Sequence, residues 1–147
     1  MIVWVDVLPI LGKPWVDGGC DEAVGFDCAG VCLWVLERIG VAREDLPVFP
    51  TLSQNKPDPD ELARCSALWV NVPLASRMRI GDVILSRMDA TNIGARPHLA
   101  IIVKESPCMV ASSVDRAGVI VRSAAHLHEP QFIYRWPAAA AIVGATC

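Results

Sequence analysis

Residues 25–40 read GFDCAGVCLWVLERIG. Asp27 stands where a helix N-cap belongs, just before an apolar run, and Gly40 stands where the chain leaves such a helix. Between them, residues 28–39 contain no proline and a single glycine, close to the start. Val31, Leu33, Trp34, Val35, Leu36 and Ile39 leave few polar positions. The spacing predicts a helix over 28–39, apolar almost all round, and such a helix is central and buried.

Working outward, the hydrophobic period changes downstream of this helix. Residues 82–86 (DVILS), 99–104 (LAIIVK), 109–113 (MVASS), 119–122 (VIVR) and 132–136 (FIYRW) are short β-type runs. Turn signals separate them at 79–81, 105–107 and 115–118. One helix followed by short strands is the α+β pattern, with the helix packed on a five-stranded, mostly antiparallel sheet. Upstream, residues 2–10 form an extended or short helical piece. Gly12, Pro14, Gly18, Gly19 and Gly25 make 11–27 a loop. Residues 43–61 are proline-rich and charged. With a second short helix around 60–70, they form a surface excursion over about 43–75.

The 147 residues (15.9 kDa) suit a single domain over 1–147 with a real core. Apolar residues at 53%, charged residues at 20% and a mean hydropathy of +0.40 argue against disorder. A net charge of −3 argues against a general nucleic-acid binder. No apolar run approaches the roughly 18–20 residues of a membrane span. The N-terminal stretch lacks a basic region and Asp6 interrupts it, so no secretory signal is expected. Synthesis in the cytoplasm, with delivery by a route that needs no signal peptide, is the expectation. Six cysteines at this length, without a signal, suit a reducing compartment better than a disulfide framework. Cys28 and Cys32 have zinc-like spacing but no matching second pair, and His126 and His128 stand two apart. Neither a metal nor a cofactor is expected.

Cys28 lies at the boundary between a glycine-rich loop and the most apolar helix. Unpaired N–H groups and the helix dipole at such a place favour a thiolate, which is the nucleophilic form. The same N–H groups could hold an oxyanion. The plain alternative is a buried core thiol. His98 stands at the start of the apolar run 99–103. A strand there can hold an imidazole against the N-terminus of a helix packed on it, the geometry a Cys–His pair needs. The alternative is a hydrogen-bonded histidine at a strand edge.

Four pieces, in order, carry a resemblance: Trp15-Val16-Asp17-Gly18-Gly19, Gly25-Phe26-Asp27-Cys28-Ala29-Gly30, Gly81-Asp82-Val83 and His98-Leu99-Ala100-Ile101. Over roughly residues 11–122 the chain resembles the NlpC/P60 family of papain-like cell-wall peptidases. The resemblance implies cleavage of peptidoglycan stem peptides, usually between D-glutamate, through its γ-carboxyl, and a diamino acid. It implies Cys28 as nucleophile and His98 as the group that takes the thiol proton and returns it to the leaving amine. The oxyanion would be held by the Cys28 N–H and by a loop tyrosine, at whose place this chain has Trp15. Asp27 matches a position that helps to bind the substrate's free amine.

Three departures stand out. Trp15 offers an indole N–H in place of a phenol O–H. Ala29 replaces the usual serine and removes one polar contact to substrate. The third polar residue of the family, which orients the imidazole, falls near Val110, and valine cannot do this. Ser112 can if the turn at 105–107 shifts the register. This leaves a working dyad with a weak orienter, or a reduced enzyme. His126 and His128 are read as surface or packing residues, Cys32 as core, and Cys20 as a packing residue before the nucleophile. Trp34, Trp69 and Trp136 are read as core aromatics, Trp4 and Trp15 as cleft-lining. The acidic run 58–61 is read as solvated surface. With no targeting module in the chain, delivery by a phage-tail or tail-like particle, beside other tail proteins, is the first expectation. A secreted amidase toxin of the same fold and a non-catalytic structural tail component are the alternatives.

Overall fold

The structure is a computed structural model and describes residues 4–42, 70–87, 97–127 and 130–135. Of the excursion expected over about 43–75, residues 43–69 with the acidic run lie outside the described residues, as do Cys65, Trp69, His128, Trp136 and Cys147, while residues 70–72 belong to the main sheet.

The segment expected to be a loop contains a small hairpin, β1 (Cys20–Asp21) paired antiparallel with β2 (Gly25–Phe26). Asp27 then leaves β2 in extended backbone, and its Oδ1 accepts from the Gly30 N–H at 2.7 Å. That cap opens α1 (Cys28–Arg38). At the other end Ile39 is the C-cap and Gly40 has φ +99. The Gly40 N–H donates to Glu37 O and the Val41 N–H to Leu36 O, the paired bonds of a Schellman ending.

All five expected β runs are strands: β4 (Val83–Arg87), β5 (Pro97–Glu105), β6 (Cys108–Val114), β7 (Gly118–Ser123) and β8 (Pro130–Arg135). A further short strand, β3 (Val70–Val72), joins them at one edge. Val70, expected at the end of a second helix, is therefore in extended backbone, laddered to Arg135. The sheet is antiparallel throughout, in the order β3-β8-β4-β5-β6-β7. The chain is thus α+β, with α1 packed on β5 and β6.

Each face of this sheet carries its own core. Leu99, Ile101 and Val103 of β5 join Val31, Cys32, Val35 and Leu36 of α1 and Phe26 of β2. Ala100 and Ile102 point the other way and join Ile84, Val110, Leu127 and Ile133. The helix is not apolar all round in use. Gly30, Val31, Cys32, Val35 and Leu36 are buried, while Trp34 is half-buried, its Nε1 donating to Glu22 Oε1 at 3.3 Å. The Arg38 guanidinium stacks 4.2 Å from the Trp34 ring centre. Trp34 thus packs against the edge of the helix-side core and pins the hairpin to α1. Cys32 is buried as expected.

Asp82, in the Gly81-Asp82-Val83 piece, ties the far half of the sheet together. It is 1% exposed and accepts from the Arg79 N–H and, side-on, from Arg135 Nε at 2.9 Å and Nη2 at 2.8 Å. No helix among the described residues is long and apolar enough to cross a membrane.

Candidate functional site

The site is built where the hairpin, the start of α1 and the start of β5 meet. Gly30 allows the meeting, because a Cβ there would collide with the Gly19 carbonyl oxygen. The Asp27 N–H donates to that same carbonyl at 3.1 Å. Asp27 is 8% exposed and holds two backbone donors, Gly30 on Oδ1 and Gly18 on Oδ2 at 2.9 Å. Burial raises its pKa above the usual carboxylate value, against the pull of those two N–H groups. Both oxygens accept from the chain itself, which fixes the carboxylate beside the helix start.

Cys28 is the first helical residue and is half-buried. Its thiol is surrounded by the backbone N–H groups of Leu99, Ala29 and Cys28 itself, each of which favours the thiolate. Burial outweighs them, and the neighbouring Asp27 charge adds to it, so the pKa is raised above its ordinary value. The helix-terminus argument from sequence identified the N–H groups of Cys28 and Ala29 but not that of Leu99 on β5, and the sign of the net effect is the opposite, because it omitted desolvation.

His98 is 4% exposed. Its backbone neighbour Leu99 abuts Cys28, as expected of a strand start placed against the helix. His98 is in step with Ala100 and Ile102, so its side chain leaves β5 on the sheet face that they share. There, burial and the Arg122 guanidinium push its pKa down to about 4. Its Nε2 has no hydrogen-bond partner. Ser112, the candidate orienting residue, is on that same face, opposite Ile120, and its buried Oγ is also unpartnered. No Ser112–His98 hydrogen bond exists in this arrangement. Val110 lies in the second core, opposite Ile102.

Trp15 is half-buried, in the strap whose Val16 N–H donates to Phe26 O. Ala29 is partly buried against the helix-side core. Trp4 is 50% exposed, and Cys20 is exposed and does not pack inward. His126 ends a 3-10 turn (Ala124–His126) on the surface, consistent with a surface role. Sequence reasoning missed Ser113, which is buried and donates from Oγ to Phe26 O at 2.6 Å, fixing β6 to the residue just before the Asp27 cap. It also missed Arg122, whose only signal was its place at the end of an apolar run. No group of three or more metal-ligating side chains occurs among the described residues.

No family model and no curated protein matches the chain. Among solved structures, the fold is similar to that of a lipoprotein-like protein of the NLP/P60 family from Staphylococcus aureus subsp. aureus Mu50. The TM-score is 0.54 at 21% identity, over 88% of this chain. The chain spans 38% of that protein's length. The α+β fold of an NLP/P60 protein is therefore what the comparison supports, and chemistry has to be argued from the residues.

Proposed function

We propose that this chain is a cysteine peptidase that cleaves peptidoglycan stem peptides, with Cys28 as nucleophile. The carrying observation is the setting of Cys28, a half-buried thiol at the first position of a helix capped by Asp27, with the backbone N–H groups of Leu99, Ala29 and Cys28 favouring its thiolate. Such N–H groups stabilise first the thiolate and then the oxyanion formed when it attacks a carbonyl. The bond in this reading joins the γ-carboxyl of D-glutamate to a diamino acid. Trp15 and Ala29 line the approach, and Asp27 positions the helix start. The reading extends to delivery by a phage-tail or tail-like particle, with action on the wall in the periplasm.

His98 acts as base in this reading only with its ring on the helix side of β5. The β5–β6 register starts at Ile101 opposite Ala111, so the first residues of β5 are laddered on the β4 side. A bulge there would re-aim the one side chain without disturbing Leu99 or Ile101. Ser112 stays on the face away from α1 in that state, so it does not serve as the orienter of the re-aimed ring.

A second reading, a non-catalytic structural component that keeps the fold, is favoured by the raised pKa of Cys28 and the lowered pKa of His98, which favour the neutral thiol beside a neutral imidazole. Mass spectrometry of purified peptidoglycan after incubation with the parent protein, Cys28→Ala and His98→Ala separates the two. New stem-peptide fragments from the parent and none from Cys28→Ala support the peptidase. Fragments from both overturn Cys28 as nucleophile, and no fragments from any wall type favour the structural component. Full activity in His98→Ala removes the histidine from the mechanism and leaves Cys28 in it.

A further inference from the structure

Three buried side-chain atoms among the described residues lack a hydrogen-bond partner: His98 Nε2, Ser112 Oγ and Arg122 Nε. They come from β5, β6 and β7, which are neighbours in the sheet. The register puts all three on one face. Val110 is opposite both Ile102 and Arg122, and residues directly opposite or two apart share a face. His98 precedes Ala100 and Ile102 by even steps, and Ser112 follows Val110 by one such step. This is the face away from α1, across the sheet from Cys28.

An unpartnered buried donor costs about 1–3 kcal/mol, so three of them on one patch require an occupant. Charge indicates which kind. A guanidinium has five donors and no acceptor, and the ion pairs of the described residues do not include Arg122. Water can accept from the N–H and O–H groups, but it leaves the cation uncompensated. A carboxylate does both, since it can take two parallel bonds from the side of a guanidinium. The patch also has a rim. Arg122 is half-buried, and the chain leaves β7 directly after it through Ala124 and Leu127, which pack on the same core.

We propose that His98, Ser112 and Arg122 form a binding site for a carboxylate group on the sheet face opposite α1. The carboxylate accepts from Arg122 Nε–H with one oxygen and from the Ser112 hydroxyl with the other. Its charge favours the imidazolium of His98, which takes a proton from solvent and donates from Nε2. The site does not require the proposed peptidase activity, but it claims the same His98 ring, so a bound carboxylate holds His98 away from the role of base.

The test follows the His98 ring resonances by NMR while sodium formate is added at constant pH, against sodium chloride at equal ionic strength. A saturable shift with formate alone is expected. The response is lost in Arg122→Gln, and Ser112→Ala weakens it roughly tenfold, the loss of one good hydrogen bond to a charged group. Circular dichroism checks that both variants are folded, and Ser112→Ala carries the test if Arg122→Gln is not. No shift, the same shift in chloride, or an undiminished response in Ser112→Ala overturns the proposal. Saturation by inorganic phosphate in place of formate overturns the assignment to a carboxylate. A short peptide with a free C-terminus, beside its amidated twin, distinguishes a chain end from a free small acid as the source.

Discussion

Gly30 and Gly19 approach so closely that a Cβ on Gly30 would collide with the Gly19 carbonyl oxygen. The helix start and the hairpin share one wall at this point, and Asp27 bonds both of them. Gly30→Ala has to separate them. It is expected to lower stability by about 1–3 kcal/mol, the usual range for overpacking, and to loosen the Gly18 bond to Asp27. Urea unfolding measures the first effect, and hydrogen exchange at the Gly18 amide the second. Unchanged stability with unchanged Gly18 protection would show that the contact can relax freely.

His98 makes stability depend on pH with a definite sign. Its folded pKa, about 4, lies below the roughly 6.5 of an unfolded histidine. On acidification the unfolded chain therefore takes up the proton first. The stability linked to neutral His98 is complete above about pH 6.5 and is lost as pH falls through about 4. Over that window the loss amounts to about 3 kcal/mol. Urea midpoints from pH 7 to pH 4 should fall more steeply in the parent protein than in His98→Gln. Parallel profiles would mean that the ring is solvated.

The helix was legible in the sequence because its signals are local: Asp27 before it, Gly40 after it, and an unbroken apolar run between. The five longest strands were legible for the same reason. What could not be read was which way His98 points. The run HLAIIV is apolar at both parities, since β5 is covered on both faces, so alternation gave no clue. The orientation is set by pairing with β4 and β6, and with it goes the face shared by Ser112 and Arg122. The fate of the Asp27 carboxylate was also hidden, because one of its donors, Gly18, is nine residues upstream. The net pKa of Cys28 needed the burial of its thiol, which only the packed structure supplies.

Alkylation of Cys28 by iodoacetamide is expected to be slow at pH 7 and to rise with pH beyond the ordinary thiol range. Its pKa is raised, and the thiolate is the reacting form. Cys20 is exposed and reacts as well, so the rate is read by peptide mapping on a Cys20→Ser background. A rate already level at pH 7 would contradict the raised pKa and point to an activated thiolate.

Arg135→Met should be among the most damaging single changes in the sheet. It leaves the carboxylate of Asp82, 1% exposed, without its side-on guanidinium. Removing one partner of a buried pair costs about 3–5 kcal/mol. Replacing both, as Asp82→Leu with Arg135→Met, should cost less than the single change. A double-mutant cycle by chemical denaturation checks this, and simple additivity would show that the pair is not coupled.

The residues before the hairpin are stitched to strands that come much later in the chain. The Val5 N–H donates to Val103 O, the Gly12 N–H to Val119 O, and the Val119 N–H returns to Lys13 O. During synthesis, residues 5–13 wait for partners about a hundred positions away. Loop closure over that span must precede the contacts that reward it. The early apolar residues Val5, Val7 and Ile10 are therefore uncovered while β5–β7 are being made, although all three are core in the finished fold. For a growing chain, the hazardous interval is the one before Val119 emerges from the ribosome, and shielding by a chaperone would matter most there.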